Sequence, residues 1–412
     1  MTPFADNRSA IAYLRSPTAI RERCGIVFAA AEAGRAPHFV LRLDRLPDAA
    51  RYVARTIRGA YPTLAVPYHS RWRHFAAGGR DRWAALAPRL RDHSRDEIAR
   101  IRFDLAVTSV LLDAGAGEAW SYLEAETGER LARSEGLAIA SFDMFVAGAF
   151  SADRNDPWRA DATALRVLGE PTLAAGFQVT AGNPLVGLSG RAALLRRLGE
   201  ALVDNRELFG EAARIGSLFD YLARRAGGGA LQAAEILDAV LRGFSSIWPG
   251  RESIGGVNLG DVWRHSAVRT ADRTDGLVPF HKLSQWLSYS LVEPLEDAGI
   301  RVTGLDRLTG LPEYRNGGLF IDSGVLEPRH GDLLGTRHAV GSEPVVEWRA
   351  LTVILLDRIA DLVRAELGLS AEHFPLAKIL EGGTWTAGRF IARERRPGGP
   401  PPITLDSDGT VF

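Results

Sequence analysis

The sequence predicts a mainly α-helical protein with a few short strands, and three observations support this class. Apolar residues recur at three-to-four spacing over long segments, which is the period of an amphipathic helix. Alternating, strand-like runs are few and short. Apolar residues make up 46% and charged residues 24% of the 412 residues, which is the balance of a globular chain and not of a disordered one.

The predicted helices follow one another along most of the chain. The last one has the clearest pattern, because Leu351, Leu355 and Ile359 fall on one face and Gly368 stands where the helix should stop. The periodic segments are 9–35, 94–112, 117–135, 187–225, 229–243, 280–298 and 346–367. The candidate strands are 24–30, 318–322, and 403–405 with 409–412.

The domain organisation follows from where the periodic pattern stops. Residues 1–395 are predicted to form a single mostly helical domain, with two packed lobes joined near the glycine run at 225–230 as the alternative. Residues 396–412 begin with Arg-Pro-Gly-Gly-Pro-Pro-Pro and end in apolar residues. They are predicted to form an extended tail that docks on the domain.

Charge and cysteine content exclude several classes of function. The 50 basic and 50 acidic residues give a net charge of zero, so nucleic acids and anionic membranes are not expected partners. No segment approaches about 20 consecutive apolar residues, and the N-terminus lacks a secretory pattern, so a cytoplasmic protein is expected. Cys24 is the one cysteine, which rules out an internal disulfide and any cysteine-based metal site.

Lysine is rare in this chain. All but two of the 50 basic residues are arginine, and the exceptions are Lys282 and Lys378. Lys282 lies near the start of a predicted apolar helix, where the positive end of the helix dipole disfavours it. Pairing with a buried carboxylate or contact with a substrate would offset that cost; chance survival is the alternative.

The common cofactor motifs are missing. The glycine-rich turn at 111–117 follows a helical pattern and not a strand, which favours a helix–turn–helix junction over a nucleotide-binding turn. The chain contains no P-loop and no HExxH sequence. His69 and His74 are five apart, so one helical face would not carry both. No cofactor and no metal are expected.

Polar and aromatic residues concentrate in five segments rich in glycine and proline, a setting typical of functional loops. Arg71 and Arg73 suit an anion such as phosphate, with a solvated surface loop as the equal alternative. Asn258 and Asp261 place acceptors beside Trp263, either as a pocket lining or as a helix cap. The segments are 66–75, 254–265, 277–291, 308–322 and 341–350.

The fourth segment holds the best candidate for a catalytic base. Pro312 and a glycine pair frame Glu313, Tyr314 and Arg315, a setting that can desolvate a carboxylate and raise its pKa. A surface Glu–Arg pair is the alternative. In the fifth segment Glu347 is expected in the first turn of a helix, where capping alone would explain it.

Taken together, these segments resemble a known family, the ribosylurea-processing proteins of the URC pathway of uracil catabolism. The resemblance extends nearly from end to end in a fixed order. It is carried by residues 66–75, 102–117, 280–287, 311–319 and 408–412.

A more distant resemblance is to the queuosine-nucleotide N-glycosylases. Segments that are similar to theirs contain Asn258, Phe280-His281-Lys282, Glu313-Tyr314-Arg315 and Glu347-Trp348-Arg349. This resemblance implies a helix-hairpin-helix fold like that of DNA glycosylases, with Lys282 and Glu313 as the catalytic pair. Glu313 stands where that family has aspartate, so direct attack and water activation both stay open.

The two resemblances imply an N-glycosyl hydrolase that needs no metal and splits ribosylurea, or its 5′-phosphate, into urea and ribose or its phosphate. A carboxylate stabilises an oxocarbenium-like transition state, and a donor assists the departing urea. The resemblances also imply which residues bind the substrate. Those that border it would be Asn258, Asp261, Trp263, His281, Tyr314, Arg315 and Glu347. A phosphate would be held by Arg71, Arg73 or Arg389.

Three other functions remain open at this point. The first is a hydrolase or lyase that acts on another pyrimidine-derived intermediate. The second is a non-catalytic scaffold for other enzymes of uracil catabolism, which predicts that Glu313 and Lys282 are exposed. The third is a nucleic-acid glycosylase, which the zero net charge disfavours.

Overall fold

The computed structural model describes residues 4–248 and 251–406. It confirms a mainly helical protein with short strands. The helices are α1 Asn7–Leu14, α2 Pro17–Glu32, α3 Leu46–Ala60, α4 Arg71–Phe75, α5 Arg82–Leu86, α6 Arg95–Leu111, α7 Arg133–Val146, α8 Ala162–Val167, α9 Glu170–Gly176, α10 Leu188–Asp204, α11 Arg206–Phe209, α12 Ser217–Arg225, α13 Ala233–Phe244, α14 Lys282–Asp297, α15 Tyr314–Asp322, α16 Glu343–Leu367, α17 Leu376–Ile379 and α18 Trp385–Arg395.

The strands are short and pair two by two within the described ranges. Pairs β1–β10, β2–β3, β5–β6 and β7–β8 are antiparallel, and pairs β4–β9 and β11–β12 are parallel. The strands are β1 Phe39–Leu41, β2 Ser121–Leu123, β3 Arg130–Ala132, β4 Ala230–Gln232, β5 Ser253–Ile254, β6 Val257–Asn258, β7 Val262–Arg264, β8 Leu277–Pro279, β9 Arg301–Thr303, β10 Leu326–Pro328, β11 Arg337–Ala339 and β12 Thr404–Asp406.

The chain forms two compact units. Unit 1 comprises the described residues of 1–69, 250–285 and 304–407. The long helix α16 packs against α2 and α3 in the core of this unit. The thiol of Cys24, in α2, is completely buried. Helix α18 packs against α15, and the predicted tail adds β12 alongside β11. The last six residues of that tail, 407–412, lie outside the described residues.

Unit 2 comprises the described residues of 70–249 and 286–303. Helix α10 packs against α8, and α7 packs against α4 and α6. The buried guanidinium of Arg191 donates hydrogen bonds to the carbonyls of Leu112, Ala114 and Gly115, and so holds the glycine-rich turn that follows α6. The glycine run at 225–230 lies inside this unit.

Three local predictions were wrong. The predicted strand at 24–30 belongs to α2, which Ser16 caps and Pro17 opens, because a short apolar run fits a buried helix as well as a strand. The predicted strand at 318–322 is the second half of α15. The predicted helix at 117–135 contains the hairpin of β2 and β3, whose turn uses Gly128 at a φ of 73°.

Candidate active site

Glu313 is the N-cap of α15. One carboxylate oxygen accepts the backbone N–H of Arg315 at 2.7 Å, and the other accepts that of Asn316 at 2.6 Å. The residue is only 7% exposed, although a scaffold role predicted that it would be exposed. Burial raises the pKa of Glu313, an effect that the two N–H groups and the positive charge of Lys282 partly oppose. Glu313 is therefore a desolvated carboxylate with the elevated pKa of a candidate base.

Lys282 is the first residue of α14 and is half-buried. Its side chain is close enough to Glu313 for the ammonium charge to lower the pKa of that carboxylate. The structure therefore brings together the two residues that the sequence predicts as a catalytic pair. It also explains why lysine persists at a helix start, since a buried carboxylate lies nearby to offset the cost.

The residue before Lys282 fixes the start of α14. His281 has a φ of 49°, a left-handed value that is uncommon for residues other than glycine. Its Nε2 lies 2.8 Å from the carbonyl oxygen of Leu14, so Nε2 carries the proton and donates it. Burial lowers the pKa of His281, which favours the neutral ring. His281 positions Lys282 through the backbone.

Arg349, which is buried, and Asp261, which is half-buried, form an ion pair that connects the two candidate catalytic residues. Both carboxylate oxygens of Asp261 accept from Arg349 at 2.8 Å, and one also accepts the backbone N–H of Lys282 at 3.0 Å. Arg349 in turn donates to the carbonyl of Pro312, the residue before Glu313. Burial alone would raise the pKa of Asp261, but the Arg349 guanidinium holds it well below its usual range. The pair thus sets the position of Lys282 relative to Glu313.

Glu347 has the contacts of a positioning residue. Its carboxylate is fully buried and accepts the backbone N–H groups of His38 and Phe39 at 3.1 and 2.8 Å. The other oxygen lies 3.1 Å from Nε2 of His265, whose Nδ1 accepts the N–H of Ala267, so Nε2 is the donor. The sequence predicted Glu347 in the first turn of the helix. Because α16 begins at Glu343, Glu347 lies in the second turn.

Asn258 and Trp263 lie on the short strands that precede α14. The amide oxygen of Asn258 accepts the N–H of Gly260 at 3.0 Å, which shapes the turn into Asp261. The indole N–H of Trp263 donates to Asp261 at 2.6 Å. The Trp263 ring is half-buried, and the guanidinium of Arg251 lies 5.0 Å from its centre.

Tyr314 and Arg315 open helix α15. The Arg315 guanidinium is buried, lies 5.1 Å from the centre of the Tyr314 ring, and donates to the carbonyl of Gly399 at 2.8 Å. This bond joins the start of α15 to the beginning of the C-terminal tail.

The three arginines predicted to hold a phosphate lie in different units. Arg71 is completely buried in unit 2, where it donates to Ser109 and pairs with Asp113. Arg73 pairs with Glu293 at 2.6 Å in the same unit. Arg389 belongs to unit 1 and lies 4.7 Å from the centre of the Trp385 ring.

The pair formed by His69 and Glu381 was not predicted from the sequence; in unit 1, Nδ1 of His69 lies 2.7 Å from a carboxylate oxygen of Glu381. Glu381 belongs to a π-helical turn, Leu380–Thr384, between α17 and α18. The adjacent glycines at 382 and 383 were the available signal, because a glycine pair inside a helical pattern indicates unusual backbone or close packing.

Within the described ranges 4–248 and 251–406, no group of three or more histidine, cysteine, aspartate or glutamate side chains is placed to hold a metal ion. None of the helices in these ranges combines the length and the apolar character that crossing a bilayer requires.

Comparison with known proteins gives one family and two similar proteins. The family model described as "Protein of unknown function (DUF1688)" matches residues 13–412. "Uracil catabolism protein 4" of Lachancea kluyveri is 39% identical over 436 residues, which cover 98% of this chain and 99% of that protein. "Protein urg3" of Schizosaccharomyces pombe is 39% identical over 411 residues, with the same shares of the two chains covered.

Proposed function

The chain belongs to the DUF1688 family, and we propose that it hydrolyses the N-glycosidic bond of ribosylurea, or of its 5′-phosphate, in uracil catabolism. The name of one relative, "Uracil catabolism protein 4", supports a role in uracil catabolism, since that protein is 39% identical over almost the full length of both chains. The buried, N-capped carboxylate of Glu313 beside the charge of Lys282 supports the reaction class.

The reaction breaks the bond between C1′ of the ribose and a urea nitrogen. Water attacks C1′ and gives a proton to Glu313, the C1′–N electron pair passes to the nitrogen, and that nitrogen takes up a proton. The products are urea and ribose, or ribose 5-phosphate. Glu313 suits the role of base because burial raises its pKa while its two backbone hydrogen bonds keep it in place.

Lys282 contributes a positive charge near the Glu313 carboxylate. Its charge favours the ionised form of Glu313, which is the form that accepts a proton from water. The Asp261–Arg349 pair holds the first turn of α14 through the Lys282 N–H, so the position of Lys282 relative to Glu313 does not depend on flexible loops.

The test is urea release from ribosylurea and from its 5′-phosphate in excess chelator, which separates this chemistry from one that depends on a metal. Glu313→Gln removes the base but keeps the shape of the side chain, and we expect its kcat to fall by about 10²- to 10⁴-fold. Glu372→Gln, at an exposed carboxylate in unit 1, is the matched control and should retain full activity.

The outcomes separate the alternatives. Urea release by wild type and not by Glu313→Gln supports both the reaction and the base. Equal release by the two proteins would contradict the assignment of Glu313. No release from either compound would contradict the proposed reaction and would favour an enzyme acting on another pyrimidine-derived intermediate.

A further inference from the structure

Asn316 combines two hydrogen bonds that fix its position with one side-chain atom that has none. It is the third residue of α15 and is completely buried. Its backbone N–H donates to Oε1 of Glu313 at 2.6 Å, and its Nδ2 donates to the carbonyl oxygen of Leu311 at 3.0 Å. Within the part of the chain that the structure describes, the amide oxygen Oδ1 of Asn316 has no hydrogen-bond partner.

The orientation of this amide follows from its partner. The carbonyl oxygen of Leu311 only accepts hydrogen bonds, so the amide atom that faces it is the NH₂ group and not the oxygen. The same carbonyl also accepts the backbone N–H of Glu313 at 2.9 Å. The Asn316 side chain therefore ties the loop before Glu313 to the first turn of α15, and Oδ1 is the amide atom that this loop does not use.

Helix capping does not explain the amide oxygen. In a capping box, the side-chain oxygen of the third helical residue accepts the backbone N–H of the N-cap residue. Here Glu313 is the N-cap, and its N–H already donates to Leu311. A buried acceptor without a partner costs free energy, which an apolar residue at this position would avoid. That cost is offset when a partner for Oδ1 arrives with the substrate.

Asn316 and Glu313 are close enough to contact the same small molecule. They are three positions apart, so they share one face of α15. Four covalent bonds separate Oδ1 of Asn316 from its own backbone nitrogen, so these two atoms lie within about 4.5 Å of each other. That nitrogen is 2.6 Å from Oε1 of Glu313, which places Oδ1 at most about 7 Å from Oε1. A water molecule that donates to two acceptors spans about 5.5 Å, which falls inside this limit.

The attacking water of the proposed reaction has two protons and needs an acceptor for each. One proton passes to Glu313. The other stays on the water oxygen and becomes the hydroxyl proton at C1′ of the product. An acceptor for this second proton directs the lone pair of the water oxygen toward C1′. Oδ1 of Asn316 is such an acceptor, on the same helix face as the base.

We propose that Oδ1 of Asn316 accepts a hydrogen bond from the attacking water, so that Asn316 is a catalytic residue beside Glu313. This inference rests on the proposed function and adds the residue that orients the nucleophile. The water oxygen forms the bond to C1′, and the C1′–N electron pair passes to the urea nitrogen. One water proton passes to Glu313, and the other stays hydrogen-bonded to Asn316.

Methanol as the nucleophile tests this role, because methanol has a single O–H and needs only Glu313 as its acceptor. The protein cleaves the better of the two proposed substrates in aqueous methanol, and the ratio of methyl glycoside to free sugar is measured. Asn316→Leu removes the acceptor for the second proton, so this ratio should rise by about three- to tenfold, the worth of one hydrogen bond. Asn155→Leu, at an exposed asparagine of unit 2, should leave the ratio unchanged.

A second variant separates the acceptor from the structural role of the side chain. Asn316→Asp loses the donor to Leu311 but keeps an acceptor oxygen, so its product ratio should stay at the wild-type value even if its stability falls. If Asn316→Leu does not fold, Asn316→Ala removes the same acceptor without adding bulk and should show the same rise.

Each other result has a definite meaning. An unchanged ratio without the acceptor, or an equal rise for Asn316→Asp and Asn316→Leu, would overturn the inference and leave the proposed function standing. If wild type forms no methyl glycoside, Asn316→Leu must form it, and its failure to do so overturns the inference. No urea release by wild type would overturn the proposed function itself.

Discussion

At the scale of single residues, the pKa of Glu313 is set by opposing effects. Burial raises it, whereas the N–H groups of Arg315 and Asn316 and the charge of Lys282 lower it, and the net direction is upward. The ionised form is the base in the proposed reaction, so protonation at low pH abolishes the activity. Activity should therefore be lost at a higher pH than an exposed glutamate would give.

This balance predicts how the pH profile responds to a change of charge. The acid limb of kcat/KM for urea release is expected to have its midpoint above 4.5, the ordinary pKa of glutamate. Lys282→Met removes a charge that lowers the Glu313 pKa, so the midpoint should move upward, together with a loss of kcat.

The second lysine of the chain is the matched control. Lys378 lies on α17, 5.7 Å from the centre of the Tyr68 ring, and is not among the main charges that shift the pKa of Glu313. Lys378→Met should leave the midpoint unchanged. A midpoint for Lys282→Met that stays in place or moves to lower pH would show that Lys282 does not act on the base.

The residues of the site were predictable from the sequence to different degrees. Glu313 and Lys282 stand out because a framed carboxylate and a rare lysine are local signals. The pairing of Asp261 with Arg349 joins residues 88 positions apart, and no local pattern shows it. Glu347 was noted for its charge, yet its contacts with the backbone of His38 and Phe39 depend on how unit 1 folds.

At the scale of secondary-structure elements, α18 makes a close contact with α15 near the candidate base. Gly388 lies against the carbonyl oxygen of Arg315, and a Cβ there would come within 2.2 Å of a backbone atom that cannot turn aside. Gly388→Ala must therefore push the two helices apart. We expect a loss of about 1–3 kcal/mol in the free energy of unfolding, with reduced urea release.

Denaturant unfolding measures this loss, and Gly59 provides the control. Gly59 lies in α3, is exposed, and would meet nothing within 4 Å of a new Cβ. Gly59→Ala should be neutral or stabilising by about 0.5–1 kcal/mol, because alanine favours helix. Equal stability of the two variants would mean that α18 and α15 separate at no cost.

Whether a segment forms a helix or a strand was predictable where the apolar pattern is long. Short apolar patterns fit both helix and strand. The apolar period of α16 and its stop at Gly368 are confirmed by the structure. Residues 318–322 were predicted as a short strand after a loop framed by Pro312 and the Gly317–Gly318 pair. In the structure these glycines lie inside α15. Trp348 and Pro402 occupy the space that their side chains would need, so the glycines permit close packing and do not break the helix.

At the scale of the whole molecule, the division into units could not be derived from composition. Unit 1 is built from three separate stretches of the chain, and the glycine run at 225–230 lies within unit 2. Flexible composition is a local property, whereas a unit is defined by contacts between distant segments. The predominance of helix was predictable because many separate segments each carry a local helical pattern.

The buried Cys24 offers a way to observe ligands without observing turnover. It is the one thiol of the sequence, it is completely buried in α2 of unit 1, and burial raises its pKa, so the native protein should not react with a thiol reagent. Modification then requires transient opening of unit 1, and its rate measures how often that opening occurs. A compound that binds unit 1 should slow the modification in proportion to its affinity. Ribosylurea, its 5′-phosphate and urea can be ranked in this way even with Glu313→Gln, which is expected to lose catalysis and to retain binding.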